Sequence, residues 1–393
     1  MRTHYYRISL FFFFVIAVIG TVIRSFPFFD VPLEYKHLLH AHSHTAFQGW
    51  IYTLIILFTT HLFLTQEQIK KGKYRLQLIL TVSIILGILV SFILQGYAFY
   101  SILFSSLFQL LNYGFIFQFF KDVKNHKQAI SLCFIKTAFW LGIISTLAPW
   151  CVGILTAKGF AYTEIYNATI YFFLHFQYNG WFLFVVLGIL FKWLETEQIS
   201  YNTKKAILFY QIFTWSVIPA YALSLMRMSF KNYIIIPAYI GALLQVVGWA
   251  VFCQILIPIY KKWLSPQPFL IRLFSTCVFL SLTFKIGLQL LSLIPSLQEY
   301  AFLNRAIIIA FIHLNLIGII SLAFIMYLFY FKWLIINLFS IYGSFFLLIG
   351  FFGSELLLVT SGLNLYQSNK FLLFLSGFMV LGILLLIIGS FKK

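Results

Sequence analysis

Polar positions are so sparse along the 393 residues that the chain reads as a series of apolar runs cut by short charged or Pro- and Gly-containing segments. The runs cover residues 8–29, 38–64, 75–97, 99–120, 129–155, 165–191, 206–225, 233–260, 269–294, 303–330, 334–353 and 369–391. A helix crosses a bilayer in roughly 20 residues, and each run meets that length. They are helical by length and not by periodicity, because a helix that is apolar all round carries no polar stripe. The pattern predicts an all-α polytopic membrane protein with about twelve transmembrane helices, called here spans one to twelve. The first run follows Met1-Arg-Thr-His-Tyr-Tyr-Arg7 and has no small-residue cleavage site after it, so it reads as span one and not as a signal peptide.

Composition agrees. The chain is 62% hydrophobic and only 9% charged, against about 25% charged for a soluble domain. Lys and Arg exceed Asp and Glu by 27 to 9, an excess that would suit nucleic acid until its placement is considered. With the N-terminus inside, 18 of the 27 basic residues fall in inner segments, seven in outer ones, and Lys136 and Lys285 within spans. Cytoplasmic loops collect Lys and Arg, so the excess is a topogenic signal. It places both termini in the cytoplasm of a bacterial-type cytoplasmic membrane and implies lipid, not nucleic acid, as partner. All nine acids are expected in loops or at span ends. Cys133, Cys151, Cys253 and Cys277 sit apart in apolar runs, which suggests neither disulfides nor a thiolate site.

Within hydrocarbon an ionisable or coordinating side chain is costly and marks function by default. His44-Thr-Ala-Phe-Gln-Gly49-Trp50, His175-Phe-Gln-Tyr-Asn-Gly180-Trp181 and His313-Leu-Asn-Leu-Ile-Gly318 share the spacing His-x4-Gly. The intervals between their histidines, 131 and 138 residues, are close to a third of the chain. The copies fall in spans two, six and ten, so the twelve spans divide into three pseudo-symmetric groups of four: residues 1–128, 129–262 and 263–393, within one integral membrane domain. Even spans run from outside to inside, which puts the three histidines at a shared depth of about 10–15 Å from the outer face. Each glycine, about 140° round an α-helix from its histidine, is expected to admit a neighbouring helix.

Span two opens with Lys36-His-Leu-Leu-His-Ala-His-Ser-His44, in which His37, His40 and His44 share one helical face and His42 points away. Neutral imidazoles suit iron, copper or zinc. Lys285 is a candidate functional cation, whereas Lys136 is close enough to the inner surface to snorkel. Gln109, Asn112, Gln177, Asn179, Gln245, Gln289 and Asn315 would supply a hydrated cavity or, as preferred for most, hydrogen bonds between helices.

Twelve helices in three groups of four, with histidines on spans two, six and ten near the outer face, resemble the catalytic subunit of the haem-copper oxidases and nitric oxide reductases. The segment Leu174-His-Phe-Gln-Tyr-Asn-Gly-Trp181 is similar to the reductases' His-x3-Glu-Gly, with Asn179 in place of Glu. The resemblance implies a b-type haem held by His44 (or His40) and His313, a span-six metal ligand at His175, haem propionates met by Arg24 or Arg305, and a redox partner at the outer face. It covers the chain as topology but only these residues as motif. Span seven reads Trp215-Ser-Val-Ile-Pro-Ala-Tyr221 without the family's two histidines, and the family's span-ten His-x-His is His313-Leu-Asn315. The ligands of a complete binuclear centre are therefore missing, no catalytic residue is assigned, and the NnrS family of nitric-oxide-response membrane proteins is the nearer likeness.

Two physical versions stand side by side: a haem clamped by His44 and His313, or one Cu, Zn or Fe ion held by His40, His44, His175 and His313. Either would serve electron transfer or nitric oxide and oxygen chemistry. The alternatives are a multi-span transporter, against which the absence of intramembrane carboxylates counts, and an accessory protein that has lost its metal centre.

Overall fold

The computed structural model describes residues 3–391, with the side chains of Thr3, Glu299, Ala301 and Leu303 left aside. Arg2, Lys392 and Lys393, three of the expected inner basic residues, lie outside that range. Twelve helices are long and apolar enough to cross a membrane: Tyr6–Ser25, Tyr35–Phe63, Tyr74–Gln95, Phe99–Asp122, Ile130–Ala157, Glu164–Thr196, Thr203–Leu225, Lys231–Trp263, Phe269–Leu291, Arg305–Tyr330, Leu338–Gly362 and Asn369–Phe391. Among the described residues there is no strand. Hydrocarbon offers backbone amides no partner, so the chain satisfies them within helices.

One boundary differs from the sequence reading in a way that matters. Asn337 caps span eleven by accepting from the Ser340 amide at 3.0 Å, and the helix runs to Gly362 instead of ending near residue 353. Glu355 thus lies inside a span, which corrects the expectation that all nine acids sit in loops or at span ends. The extension went unread because Ser354-Glu355 interrupts the apolar run without breaking the helix.

The described chain forms two compact units. The first joins Met1–His126 with Phe324–Lys393 and contains spans one to four, eleven and twelve; the second, Lys127–Ala323, contains spans five to nine and most of span ten. The first cut falls two residues before the boundary expected after residue 128, while the boundary expected after 262 falls inside the second unit. Span six is 89% buried over its apolar window and span two 72%, against at most 50% for any other span. The histidine-bearing helices two and six are therefore the central ones of their units.

Spans two, six and ten share a second feature. Each passes into a π-helical segment just after its histidine, at Ala46–Tyr52, Phe176–Phe182 and Leu314–Ser321. Such segments are rare, widen the helix by bonding i to i+5, and recur at functional positions. The expected close approach of the motif glycines is present in two copies. A Cβ at Gly49 would lie 2.8 Å from Phe12 of span one, and a Cβ at Gly180 would lie 3.1 Å from Leu141 of span five. The following tryptophans seal the same contacts: Trp50 stacks on Phe13 at 4.3 Å, and Trp181 covers Gly142.

Spans eleven and twelve close on glycine. A Cβ on Gly382 would stand 2.5 Å from the Leu347 amide nitrogen and one on Gly343 2.7 Å from the Gly382 carbonyl oxygen, so the backbones touch where small residues permit it. Asn337 also donates to the Gly389 carbonyl at 3.0 Å. Arg7 ties span one to the end of span twelve by donating to the Ser390 carbonyl and lying 4.2 Å over the Phe391 ring. Gly382→Val is expected to destabilise the protein by about 1–3 kcal/mol, because neither backbone can retreat without losing its own contacts. Gly377→Val, where a Cβ meets nothing within 4 Å, is expected to be neutral; chemical unfolding in mixed micelles compares the two.

Candidate functional site

In the first unit, the start of span two is α-helical from Tyr35 to Thr45, so His37, His40 and His44 line up on one side and face the turn between spans three and four. His37 lies against Gly96, whose φ of +61° turns the chain sharply and where a Cβ would come within 2.5 Å of the imidazole. Glycine is needed there on both counts. His40 meets the Tyr97 ring edge-on at 4.6 Å, and His44 stacks on Phe92 at 4.3 Å. His44 Nε2 shares a 2.8 Å hydrogen bond with the Tyr97 hydroxyl. Tyr97 was not anticipated as part of this cluster; the Gly96-Tyr97 step between two apolar runs was the available signal. His42 turns the other way, as expected, and donates from Nδ1 to the Ile16 carbonyl at 3.0 Å.

In the second unit, His175 is 1% exposed and both its ring nitrogens are engaged. Nε2 lies 2.8 Å from the Val217 carbonyl, which can only accept, so Nε2 carries the proton. Nδ1 then accepts from the Asn179 side-chain amide at 3.1 Å. The Val217 carbonyl is available because span seven tightens into a 3₁₀ turn at Tyr221–Leu225, and the Tyr221 amide turns to the carbonyls of Ile218 and Pro219 instead. To bind a metal, His175 would have to give up one of these bonds. His313 is partly buried at the end of the Arg305–His313 segment, and the π turns of spans six and ten touch. Among the described residues no three His, Cys, Asp or Glu side chains are grouped so as to hold a metal ion.

The two arginines differ. Arg24 donates to the Leu372 carbonyl at 3.5 Å and interacts electrostatically with Glu355. Arg305 is exposed at the first turn of span ten, beside the Asn304 cap. Arg24 thus has a carboxylate in its vicinity as well as being a candidate for a propionate.

The buried amides depart from their expected role. Gln177 does bond between helices, donating to Ser145 at 3.0 Å, but Asn315 bonds within its own helix to the Phe311 carbonyl and Asn179 to His175. Gln109 Nε2, both polar atoms of Asn112, Gln245 Oε1, Gln289 Oε1 and Asn179 Oδ1 are buried without a hydrogen-bond partner. So are Thr45 Oγ1 and Gln48 Oε1 on span two and Ser105 Oγ on span four. Tyr52 of span two packs on Phe108 and Phe115 of span four. Leaving a buried polar atom unpaired costs about 1–3 kcal/mol, so such groups suit water or a polar solute. Lys285 Nζ is also buried and unpartnered, and a lysine at mid-membrane costs about 2.5–3.5 kcal/mol on insertion scales.

His175→Leu is expected to lower stability by about 1–3 kcal/mol, because it strands the Val217 carbonyl and the Asn179 amide. Bound metal is expected to stay unchanged, and parallel unfolding and elemental analysis separate this structural role from a ligand role.

No known family model matches the chain, and no curated protein matches it by sequence.

Proposed function

We infer that this protein is an integral membrane protein that binds haem through the histidine face of span two, similar in plan to the haem-copper oxidases, and acts in electron transfer or in nitric oxide or oxygen chemistry. The observation that carries the reading is the corner formed by His40, His44, Phe92 and Tyr97: two imidazoles one turn apart against the same aromatic rings. Among the described residues no hydrogen bond reaches His40, and His44 Nε2 is held by a phenol that can yield it.

The donor supply favours haem over a naked ion. A Cu, Zn or Fe ion in protein takes three or four side-chain ligands, and the described residues offer no group of three. Haem iron brings its own equatorial nitrogens and asks the protein for one or two axial ligands. His44 is the first candidate, with His40 beside it, and Arg24 of the same unit is the candidate for the propionates. Bound haem supplies one-electron chemistry. The aromatic corner of Phe92 and Tyr97 would hold the His44 imidazole in place and exclude water, while the Tyr97 hydroxyl would keep a proton next to the ligand. With no histidine in span seven and both nitrogens of His175 committed, a complete binuclear centre is not part of the proposal. The excess of basic residues in the expected inner segments supports cytoplasmic termini, which would put this corner towards the outer face, where a redox partner would dock.

A second reading, transport of a polar solute, is favoured by Glu355 beside Arg24 and by the unpartnered groups of Thr45, Gln48, Ser105, Gln109 and Asn112. Optical spectra of the oxidised and dithionite-reduced protein, with elemental analysis, separate the two. The haem reading expects a reduced α-band and about one iron per chain, lost in His44→Ala and kept in His42→Ala. Metal without a haem spectrum would move the site to a single ion. Neither signal would leave transport, or an accessory protein without a centre.

A further inference from the structure

Span nine carries Ser281, Lys285 and Gln289 at i, i+4 and i+8, one face of one helix. Their relative exposures are 1%, 1% and 7%, and Ser281 Oγ, Lys285 Nζ and Gln289 Oε1 have no hydrogen-bond partner. Two donors, the Ser281 hydroxyl and the Lys285 ammonium, and one acceptor, the Gln289 amide oxygen, are thus turned into the interior of the second unit. Span nine packs there against the π-helical turn of span ten.

The charge at Lys285 has no internal answer. No carboxylate acts on it. Glu164 and Glu195 are committed elsewhere, to Ser229 and Ser131. The titratable group that does feel Lys285 is His175, and its two hydrogen bonds define a neutral ring with no negative charge to offer. A membrane-buried lysine is retained together with a partner or a pathway, and with no carboxylate among the described residues acting on Lys285, an anionic ligand is the partner its surroundings leave open.

We propose that Lys285, with the Ser281 hydroxyl, forms an intramembrane binding site for a small inorganic monoanion. A single negative charge balances one ammonium, whereas a dianion would leave an excess in the same apolar surroundings. The site is separate from the histidine corner of span two and does not depend on haem being bound there.

Bromide is the probe. The full-length protein in detergent is titrated with sodium bromide against sodium gluconate at constant ionic strength, with thermal unfolding as the readout. Wild type and Lys285→Arg are expected to show a saturable rise in Tm with bromide. Lys285→Met is expected to show none while remaining folded, since it removes a buried amine, and Ser281→Ala is expected to bind about tenfold more weakly through loss of one hydrogen bond to a charged ligand. Crystals grown in bromide are expected to give an anomalous peak beside Lys285 Nζ. An equal bromide response in wild type and Lys285→Met, no response in wild type, or an anomalous map without that peak would each overturn the proposal.

Discussion

Hydrocarbon cannot hydrogen-bond, so every polar group placed in the membrane must find its partner in the protein or in something the protein holds. The backbone meets this demand by forming helices. Most hydroxyls meet it by folding back onto their own helix: Thr59 bonds to the Ile55 carbonyl, Thr60 to Ile56, Ser344 to Ser340 and Thr283 to Phe279. A few cross between helices, such as Ser9 with Thr53 and Thr137 with Tyr210. Against that background, the groups that stay unpartnered stand out as the places where the fold gives up stability. Among the described residues, Thr45, Gln48, Ser105, Gln109 and Asn112 of the first unit and the Lys285 face of the second hold several of them, while Gln77, Asn179, Thr214, Gln245 and Trp263 lie outside both groups.

The same constraint decides which parts of the structure can be read from the sequence. Length and apolarity suffice to place a span, so twelve runs correspond to twelve helices and only the far end of span eleven was misjudged. Partners are another matter. The His-x4-Gly repeat is visible in the residues, and so is the glycine's role in admitting span one or span five. The π turn that follows each histidine is not visible, because it changes a backbone bond from i+4 to i+5 without requiring any particular side chain. Nor could the sequence reveal that His175 binds a backbone carbonyl 42 positions away, since every residue has a carbonyl and only the local tightening of span seven makes Val217's available. The amides show the reverse error: they look like interhelical glue, yet Gln109, Asn112 and Gln289 contact no partner, because a propensity to bond says nothing about whether a neighbour lies opposite.

Matched positions in the repeat have thereby become different chemical objects. His44 and His175 sit two residues and one residue before a π turn, each with an amide four residues on, Gln48 or Asn179. What differs is the acceptor on the next element. Beside His175, a bared carbonyl and the Asn179 amide take one nitrogen each and fix the tautomer, leaving no lone pair for a ligand. Beside His44, the turn at Gly96 presents an aromatic plate and one phenol, and a phenol can serve as donor or acceptor and can be exchanged. A histidine of the first kind orders a core; one of the second kind can bind something else. That difference is why the proposed haem site of the first unit lies on span two and the proposed anion site of the second at Lys285, which acts electrostatically on a histidine whose two nitrogens are already engaged.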